Sequence, residues 1–286
     1  MAAPLPAGSV DHVAKVASLM HYPIKGCAGT VLSNAAVTVA GLAHDRSFMV
    51  VDDDHVFRNQ QSAPLLAVIR PEIGDDGEVL TLHAPGLPAL SIEVQREGDR
   101  TDVGLYGIPY TGIDQGEPAA AWLTEVLGSR SRLVRVPPDH VRTTDGETPG
   151  RAGYADCAVL LVSMPSLDLL HTRLVEQGGE ALPMDRFRPN IVVDGWGEPH
   201  IEDRLRRVTI GSTRFGYAKL AIRCSVTMVD QETGTPAGPE PMRTLASYRR
   251  SPEGGVTFGT KLAVLKAGDV KVGDELQVEH WAAETT

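Results

Sequence analysis

Residues 221–234 read AIRCSVTMVDQETG, a β-prone run with an arginine and a cysteine that closes in an Asp/Gly turn. A thiol beside a fixed cation tends to have a lowered pKa, and the thiolate is the form that attacks electrophiles or binds metals. Cysteine is also one of the residue types most often buried as a small apolar side chain. Taken by itself, Cys224 is therefore either a core residue or a reactive centre, and the rest of the chain is needed to choose between them.

The composition is that of an acidic globular protein. The chain has 286 residues, 42% hydrophobic and 22% charged, which accommodates one large or two ordinary domains. The 29 glycines and 20 prolines exceed average usage and favour short strands and turns over long helices. A formal charge of -10 disfavours a nucleic-acid-binding surface, because such a surface needs a basic stripe. An anionic cofactor would have to be held by a few well-placed arginines and lysines.

Cysteine usage and the longest apolar run bear on the compartment. Cys27, Cys157 and Cys224 are too few and too far apart for a disulfide framework, and none forms a CxxC pair. This usage fits a reducing environment. The N-terminus has no basic segment before an apolar run, and the apolar residues 157–162 are far too few to span a bilayer. We therefore expect a cytoplasmic protein with no membrane or nucleic-acid partner.

Short apolar segments separated by turns dominate the first part of the chain, a pattern typical of a small β-barrel or sandwich. We place a barrel-like domain at residues 12–112, a second β-rich domain with a few helices at 113–280, and flexible tails at 1–11 and 281–286. One helix is predicted over 117–127, because Pro118 lies just inside its start and Gly128 just after its end. Another begins near Pro165 and ends before Gly178. The predicted fold class is α+β, rich in strands.

Polar residues in loops and at strand ends are the remaining candidates for chemistry, since no P-loop, GxSxG or HExxH motif occurs. Lys25 lies in a glycine-rich turn, and Arg46 enters an apolar strand. Arg188 and Asn190 flank a proline at another strand entrance. Arginine offers paired donors to phosphate, so this combination suits an oxygen-rich ligand.

Each candidate also has a structural interpretation. Lys25 is a solvated lysine in that interpretation, and Arg46 forms a salt bridge to a nearby aspartate. Asn190 holds a turn, and Ser163 is a helix-start residue at the end of a strand. The residues alone leave these alternatives open.

Five segments in order match one known pattern: 22–29 (YPIKGCAG), 41–50 (GLAHDRSFMV), 187–193 (FRPNIVV), 223–234 (RCSVTMVDQETG) and 241–249 (PMRTLASYR). Together they resemble MOSC-domain proteins with an N-terminal MOSC β-barrel, the group that includes the mitochondrial amidoxime-reducing component and its bacterial relatives. The match runs from about Val13 to Val278. The resemblance implies a barrel-like N-terminal domain followed by a MOSC β-barrel domain.

The resemblance also implies a molybdenum cofactor, a pyranopterin dithiolene with a terminal phosphate. Cys224 would be the protein ligand to molybdenum, and Arg223 would help to keep its sulfur deprotonated. The other cofactor-binding residues implied are Lys25, Gly26, Arg46, Ser163, Arg188 and Asn190. Asp230 would either relay protons as a second catalytic residue or cap a turn. Gly26 replaces a serine common in the mitochondrial relatives, which removes one possible hydrogen bond.

The implied reaction is the two-electron reduction of a small N-oxygenated substrate. No cysteine set for an iron–sulfur cluster follows Val278, so we expect a separate reductase or ferredoxin-like carrier to supply electrons. Two alternatives remain: a sulfur-transfer MOSC protein with a persulfide on Cys224, and a non-catalytic carrier of the molybdenum cofactor. The matches at Lys25, Arg46 and Arg188 favour cofactor binding, because persulfide transfer needs no cradle for a pterin phosphate.

Overall fold

The computed structural model describes residues 13–283, and strands dominate it. The strands of the first part are β1 (Lys15–His21), β2 (Ile24–Lys25), β3 (Thr30–Leu32), β4 (Asn34–Thr38), β5 (Gly41–Leu42), β6 (Phe48–Val51), β7 (Arg70–Ile73), β8 (Val79–Ala84), β9 (Leu87–Glu93), β10 (Arg100–Leu105) and β11 (Ile108–Asp114). The later strands are β12 (Arg132–Arg135), β13 (Thr143–Thr144), β14 (Gly150–Arg151), β15 (Val159–Ser163), β16 (Ile191–Asp194), β17 (Leu205–Ile210), β18 (Thr213–Arg223), β19 (Val256–Lys266), β20 (Gly268–Lys271) and β21 (Leu276–Trp281). The α-helices in this range are α1 (Glu117–Leu127), α2 (Met164–Glu176) and α3 (Met242–Ala246), and none of them is long and apolar enough to cross a membrane.

The described strands form one large sheet and four smaller ones. The largest has the order β21-β17-β18-β19-β15-β16-β1-β3, and the next has the order β10-β11-β12-β6-β2. The others are β7-β8-β9, β20-β4-β5 and β13-β14. The strand-rich α+β class is confirmed. The hydrogen bonds of the described strands do not close any of these sheets into a complete barrel.

Strand β6 explains how the five-stranded sheet is buried on both faces. Successive side chains of a strand point to opposite faces, so four apolar residues in a row serve two cores. Phe48 and Val50 pack into one core, and Met49 and Val51 pack into the other. Burying each such side chain contributes about 1.5–3 kcal/mol. The strand therefore fixes the position of Arg46, which lies just before it.

The same alternation places β15 at the centre of the eight-stranded sheet. Val159 and Leu161 face one core, and Leu160 and Val162 face the core that includes α2. Strands β15 and β16 pair in parallel, and α2 provides the crossover that a parallel pair requires. The predicted helices at 117–127 and near Pro165 are confirmed by α1 and α2.

Strand pairing crosses the predicted boundary at residue 112. Strands β1 and β3 pair with the β16 side of the eight-stranded sheet, and β4 pairs with β20 near the other end of the chain. In the opposite direction, β12 pairs with β11 and β6. The two regions therefore share sheets, because apolar residues of β1 such as Leu19 belong to the core of the later region.

The tails are only partly described. The predicted flexible tail at 281–286 begins inside an ordered strand, since Trp281 ends β21 and its ring lies 6.0 Å from that of Trp196. Residues 284–286 and the predicted lead-in at 1–11 lie outside the described part of the chain.

Candidate functional site

Tyr22 joins three chain segments at the base of the site. Its N–H donates to Asp45 Oδ1 at 2.8 Å, and its hydroxyl donates to the Pro189 carbonyl at 3.2 Å. The Arg46 N–H donates to the Tyr22 carbonyl at 2.7 Å. The guanidinium carbons of Arg46 and Arg188 lie 4.2 and 4.3 Å from the centroid of the Tyr22 ring. Two cations from distant parts of the sequence therefore stack on one buried aromatic ring.

Asn190 holds Arg46 in place. Arg46 Nη1 donates to Asn190 Oδ1 at 3.0 Å, and Nη2 donates to the Arg188 carbonyl at 3.1 Å. Asn190 Oδ1 also accepts the Leu160 N–H at 3.1 Å, while Nδ2 donates to the Met20 carbonyl at 3.2 Å. The Asn190 side chain is buried, and the protein uses both ends of its amide. The structure thus gives Asn190 a positioning role toward Arg46 and a turn role at the entrance of β16.

Arg188 keeps a donor without a partner. Its Nη2 is buried and makes no hydrogen bond within residues 13–283, and its Nη1 lies 3.4 Å from Gln231 Oε1. Burial lowers the pKa of Arg188 to about 10. An unpaired buried donor costs about 1–3 kcal/mol, or more when it carries charge. Arg46 and Arg188 also have positive φ angles of 46° and 54°, a conformation that is uncommon outside glycine and clusters at functional sites.

Lys25 is a second cation without a hydrogen-bond acceptor. Its Nζ lies 5.2 Å from the ring centroid of Phe57 and 5.3 Å from that of Tyr106. Within residues 13–283, this nitrogen makes no hydrogen bond or ion pair. Burial lowers the pKa of Lys25 to about 8, against the opposing charge of Asp156. The lysine is thus partly buried, with its ammonium over two aromatic rings.

Cys224 is exposed at the end of β18, where the backbone is extended with φ of -124°. Its carbonyl accepts the Thr227 N–H at 3.1 Å and the Thr227 hydroxyl at 3.0 Å, which starts a short helical turn. Cys27 and Cys157 are buried, and burial raises the pKa of each thiol to about 12. The alternative that Cys224 is a core residue is wrong.

Arg223 lies directly beside this thiol. Its Nη2 donates to the Phe187 carbonyl at 2.6 Å, and its buried Nε has no hydrogen-bond partner in the described part of the chain. Burial lowers the pKa of Arg223, and the nearby Cys224 and Asp156 partly offset that effect. The guanidinium is thus fixed by one bond and has a further donor available.

Asp156 and Lys261 belong to the site although the sequence analysis did not select them. Lys261 Nζ donates to Asp156 Oδ2, and the Asp156 side chain is 56% exposed. Although burial acts in the opposite direction, the charges of Lys261 and Lys25 hold the pKa of Asp156 well below its usual range. A lysine in the apolar strand β19, buried at 7% exposure, is a signal that the sequence offered, since lysine is almost never buried without a partner.

Comparison with known proteins identifies the family. Residues 13–130 match the MOSC N-terminal beta barrel domain, and residues 147–277 match the MOSC domain. Mitochondrial amidoxime-reducing component 1 of Mus musculus is 31% identical over 93% of this chain and 82% of its own length. The chain belongs to the MOSC family. The human component 1 is 30% identical over 93% of this chain, and the molybdenum cofactor sulfurase of Danio rerio is 29% identical over 86% of this chain but only 31% of its own length.

Ser163, predicted to bind the cofactor of this MOSC protein, and Asp230, predicted to be catalytic or to cap a turn, both make structural contacts. Ser163 is fully buried, its hydroxyl donates to Glu202 Oε2 at 2.8 Å, and it caps α2 by accepting the Ser166 N–H. Asp230 Oδ1 accepts the N–H groups of Glu232 and Thr233, and these bonds, those of Thr233 first, lower the pKa of Asp230. Ser163 is thus a helix-start residue. Asp230 caps a turn, and a carboxylate held ionised in this way is a poor proton relay near neutral pH.

Gly26 lies where the backbone needs a positive φ. Its φ is 89°, and a Cβ at this position would lie 3.3 Å from Leu66 Cδ1. Its carbonyl accepts from Gln60 Nε2 at 2.7 Å. The Gln60 and Gln231 amides also pair reciprocally, with both distances at 3.0 Å, and Gln231 is the partner of Arg188. The glutamine pair connects the two family domains beside the site, which sequence spacing alone does not reveal.

Proposed function

We propose that this MOSC protein is a molybdenum-cofactor-dependent oxidoreductase that reduces N-hydroxylated compounds. The observation that carries the proposal is an exposed thiol, Cys224, next to Arg223 in the chain, together with buried nitrogen atoms of Arg188 and Arg223 that have no partner in the described part of the chain. Relatives named as amidoxime-reducing components support the reaction class.

The residues present fit such a cofactor. Arg188 Nη2, Arg223 Nε and Lys25 Nζ are cationic donors that other residues leave unpaired, and a phosphate or pterin oxygen is the acceptor they lack. Arg46 would hold this group indirectly, by fixing Arg188 through its carbonyl. No group of three or more His, Cys, Asp and Glu side chains in the described range is arranged to bind a metal. Cys224 would therefore be the single protein ligand, with the dithiolene supplying soft donors of the same kind.

The overall reaction consumes the N-hydroxyl compound, two electrons and two protons, and yields the N–H compound and water. The bound cofactor would supply the two-electron chemistry at the N–O bond. The protein's own residues bind and orient: Arg223, the chain neighbour of Cys224, is held by its bond to the Phe187 carbonyl, and Lys25 keeps its proton, and hence its charge, below about pH 8. We further propose that a separate reductase or ferredoxin-like carrier supplies the electrons, and that the protein works in the cytoplasm.

A second candidate is sulfur transfer, favoured by the similarity to a protein named molybdenum cofactor sulfurase. An exposed Cys224 would then carry a persulfide. A third, non-catalytic candidate is a carrier of the molybdenum cofactor, which would use the same ligands. The unpaired donors of Arg188 and Arg223 favour cofactor binding over persulfide transfer.

Metal content separates these candidates. The protein is produced in a host that makes the molybdenum cofactor, and molybdenum and pterin fluorescence are measured for wild type, Cys224→Ala and the buried-thiol control Cys157→Ala. We expect about one molybdenum per chain, lost in Cys224→Ala and retained in the control. No molybdenum, with sulfane sulfur on Cys224, would support sulfur transfer and refute the other two candidates. Molybdenum without reduction of benzamidoxime by a chemical reductant would support the carrier.

A further inference from the structure

Tyr106 occupies a backbone position that tyrosine rarely takes. It is the first residue of the two-residue turn between β10 and β11, with φ of 54°, followed by Gly107 with φ of 78°. Turns with two positive φ angles strongly prefer asparagine, aspartate or glycine. A bulky side chain there is a genuine outlier, and such strain persists mainly where it serves function. The proposed function gives no role to this residue.

The ring of Tyr106 is held firmly on one side and open on the other. Its centroid lies 5.6 Å from that of the buried Phe57 in an edge-to-face arrangement with an angle of 76°. Lys25 Nζ lies within 5.3 Å of both ring centroids. Tyr106 is nonetheless 65% exposed. An aromatic side chain supported by a second ring and a cation, with most of its surface free, is suited to contact another ring.

Tyr106 lies next to a residue proposed to hold the cofactor, because Lys25 Nζ lies 5.3 Å from the centroid of its ring. Partial burial raises the pKa of Tyr106 to about 12, and the charges of Cys224 and Asp156 act in the same direction. A substrate bound beside the cofactor held by Lys25 would lie near the exposed ring.

We propose that Tyr106, supported by Phe57, is a stacking surface that selects N-hydroxylated substrates with a planar aromatic group. The inference rests on the proposed function, because it assumes that the substrate reacts beside Cys224. Offset or edge-to-face contact with the substrate ring would raise affinity without touching the N–O bond.

The test compares benzamidoxime with acetamidoxime, which lacks the ring. Tyr106→Gly suits the positive φ and should fold, and Tyr106→Phe keeps the ring. We expect the ratio of kcat/KM for benzamidoxime over acetamidoxime to fall about three- to tenfold in Tyr106→Gly, mostly through KM. The ratio should stay within about twofold of wild type in Tyr106→Phe and in the hairpin control Ile108→Thr.

Binding of benzamide, which has the ring but no N–O bond, provides a readout without turnover. Saturation-transfer NMR should show its binding weakened in Tyr106→Gly and kept in Tyr106→Phe. An unchanged substrate ratio together with unchanged benzamide binding would overturn the stacking surface. If wild type reduces neither amidoxime, the proposed function fails; weakened benzamide binding in Tyr106→Gly would still support the surface, and unchanged binding would overturn it.

Discussion

Lys25 is the residue at which anion binding and folding stability should conflict most clearly. The side chain is partly buried, its ammonium lies over the rings of Phe57 and Tyr106 with no hydrogen-bond acceptor among residues 13–283, and desolvation lowers its pKa from 10.5 to about 8. We predict that Lys25→Met makes the cofactor-free protein more stable at pH 7 and reduces its molybdenum content when it is produced in a cofactor-competent host. Methionine keeps the apolar contacts and removes the uncompensated charge.

The magnitude follows from the depressed pKa. At about 1.36 kcal/mol per unit, the shift corresponds to a cost of about 3 kcal/mol for burying the charged form, since 10.5 less 8 is 2.5 units. The variant also loses the contact between the cation and the rings, which is worth about 0.5–1 kcal/mol, so its net gain in stability is about 2 kcal/mol. Below pH 8 the lysine is charged in both folded and unfolded protein, and the full cost applies. Between pH 8 and 10.5 the folded protein loses this proton first, so wild type should gain stability relative to Lys25→Met as pH rises.

Urea unfolding at pH 7 and pH 10 measures the difference, with Lys266→Met as the control at an exposed lysine. The Lys25→Met advantage should be about 2 kcal/mol at pH 7 and close to zero at pH 10. The control should differ from wild type by less than about 0.5 kcal/mol at either pH. A Lys25→Met protein no more stable than wild type at pH 7, or an advantage that does not change with pH, would refute the reasoning.

Two other substitutions separate structural from cofactor roles, and a third tests the pH dependence of stability. Ser163→Ala should lower the unfolding free energy by about 1–2 kcal/mol through loss of a helix cap, and should leave the molybdenum content per folded chain unchanged. A loss of molybdenum without a loss of stability would instead support Ser163 as a cofactor-binding residue. Asn190→Ala removes the acceptor for Leu160 N–H and Arg46, so unfolding should cost about 2–4 kcal/mol less and molybdenum content should fall as well, which metal analysis of the folded fraction checks. Burial raises the pKa of Asp203 from 3.8 to about 6, so between these pH values the folded protein retains a proton that the unfolded chain releases. The free energy of unfolding should therefore fall as pH rises from 4 to 6. In urea titrations, Asp203→Asn should remove about 3 kcal/mol of this pH-dependent loss of stability. The same loss in the variant as in wild type would contradict the assignment to Asp203.

Local signals in the sequence predicted local structure well. Helix α1 begins beside Pro118 and ends at Gly128, because proline tolerates the first helical turn and glycine adopts the left-handed angle of 65° that ends it. The strand pairing was not predictable in the same way. Nothing in the alternation of β1 specifies β16 as its partner, since any apolar face can complete that core. Turn spacing consequently suggested a boundary at residue 112 that the sheets cross.

The residues of the site were predictable from their own segments, but their hydrogen-bond partners were not. The family segments indicated Lys25, Arg188 and Cys224, and the structure brings the cations together and exposes the thiol. Whether a polar side chain is free or already paired depends on residues far away in sequence. Asn190 resembles a ligand in its own segment, yet Arg46 and Leu160 occupy its oxygen. The partners that decide its role are 144 and 30 residues away.

The crossing of strands explains how an acidic chain assembles a cationic site. Lys25 ends strand β2, which follows β1, and Arg46 lies just before β6; β1 is hydrogen-bonded inside the sheet whose other strands lead to Arg188 and Cys224. Bringing buried cations together costs free energy, and each unpaired guanidinium adds to that cost. The apolar packing of β1 against β16 offsets this cost and positions the segments that carry Lys25 and Arg46. A MOSC domain without β1 would lose the strand that joins β3 to β16 and the segment that positions Lys25 and Arg46, so the site and the fold depend on the same contacts.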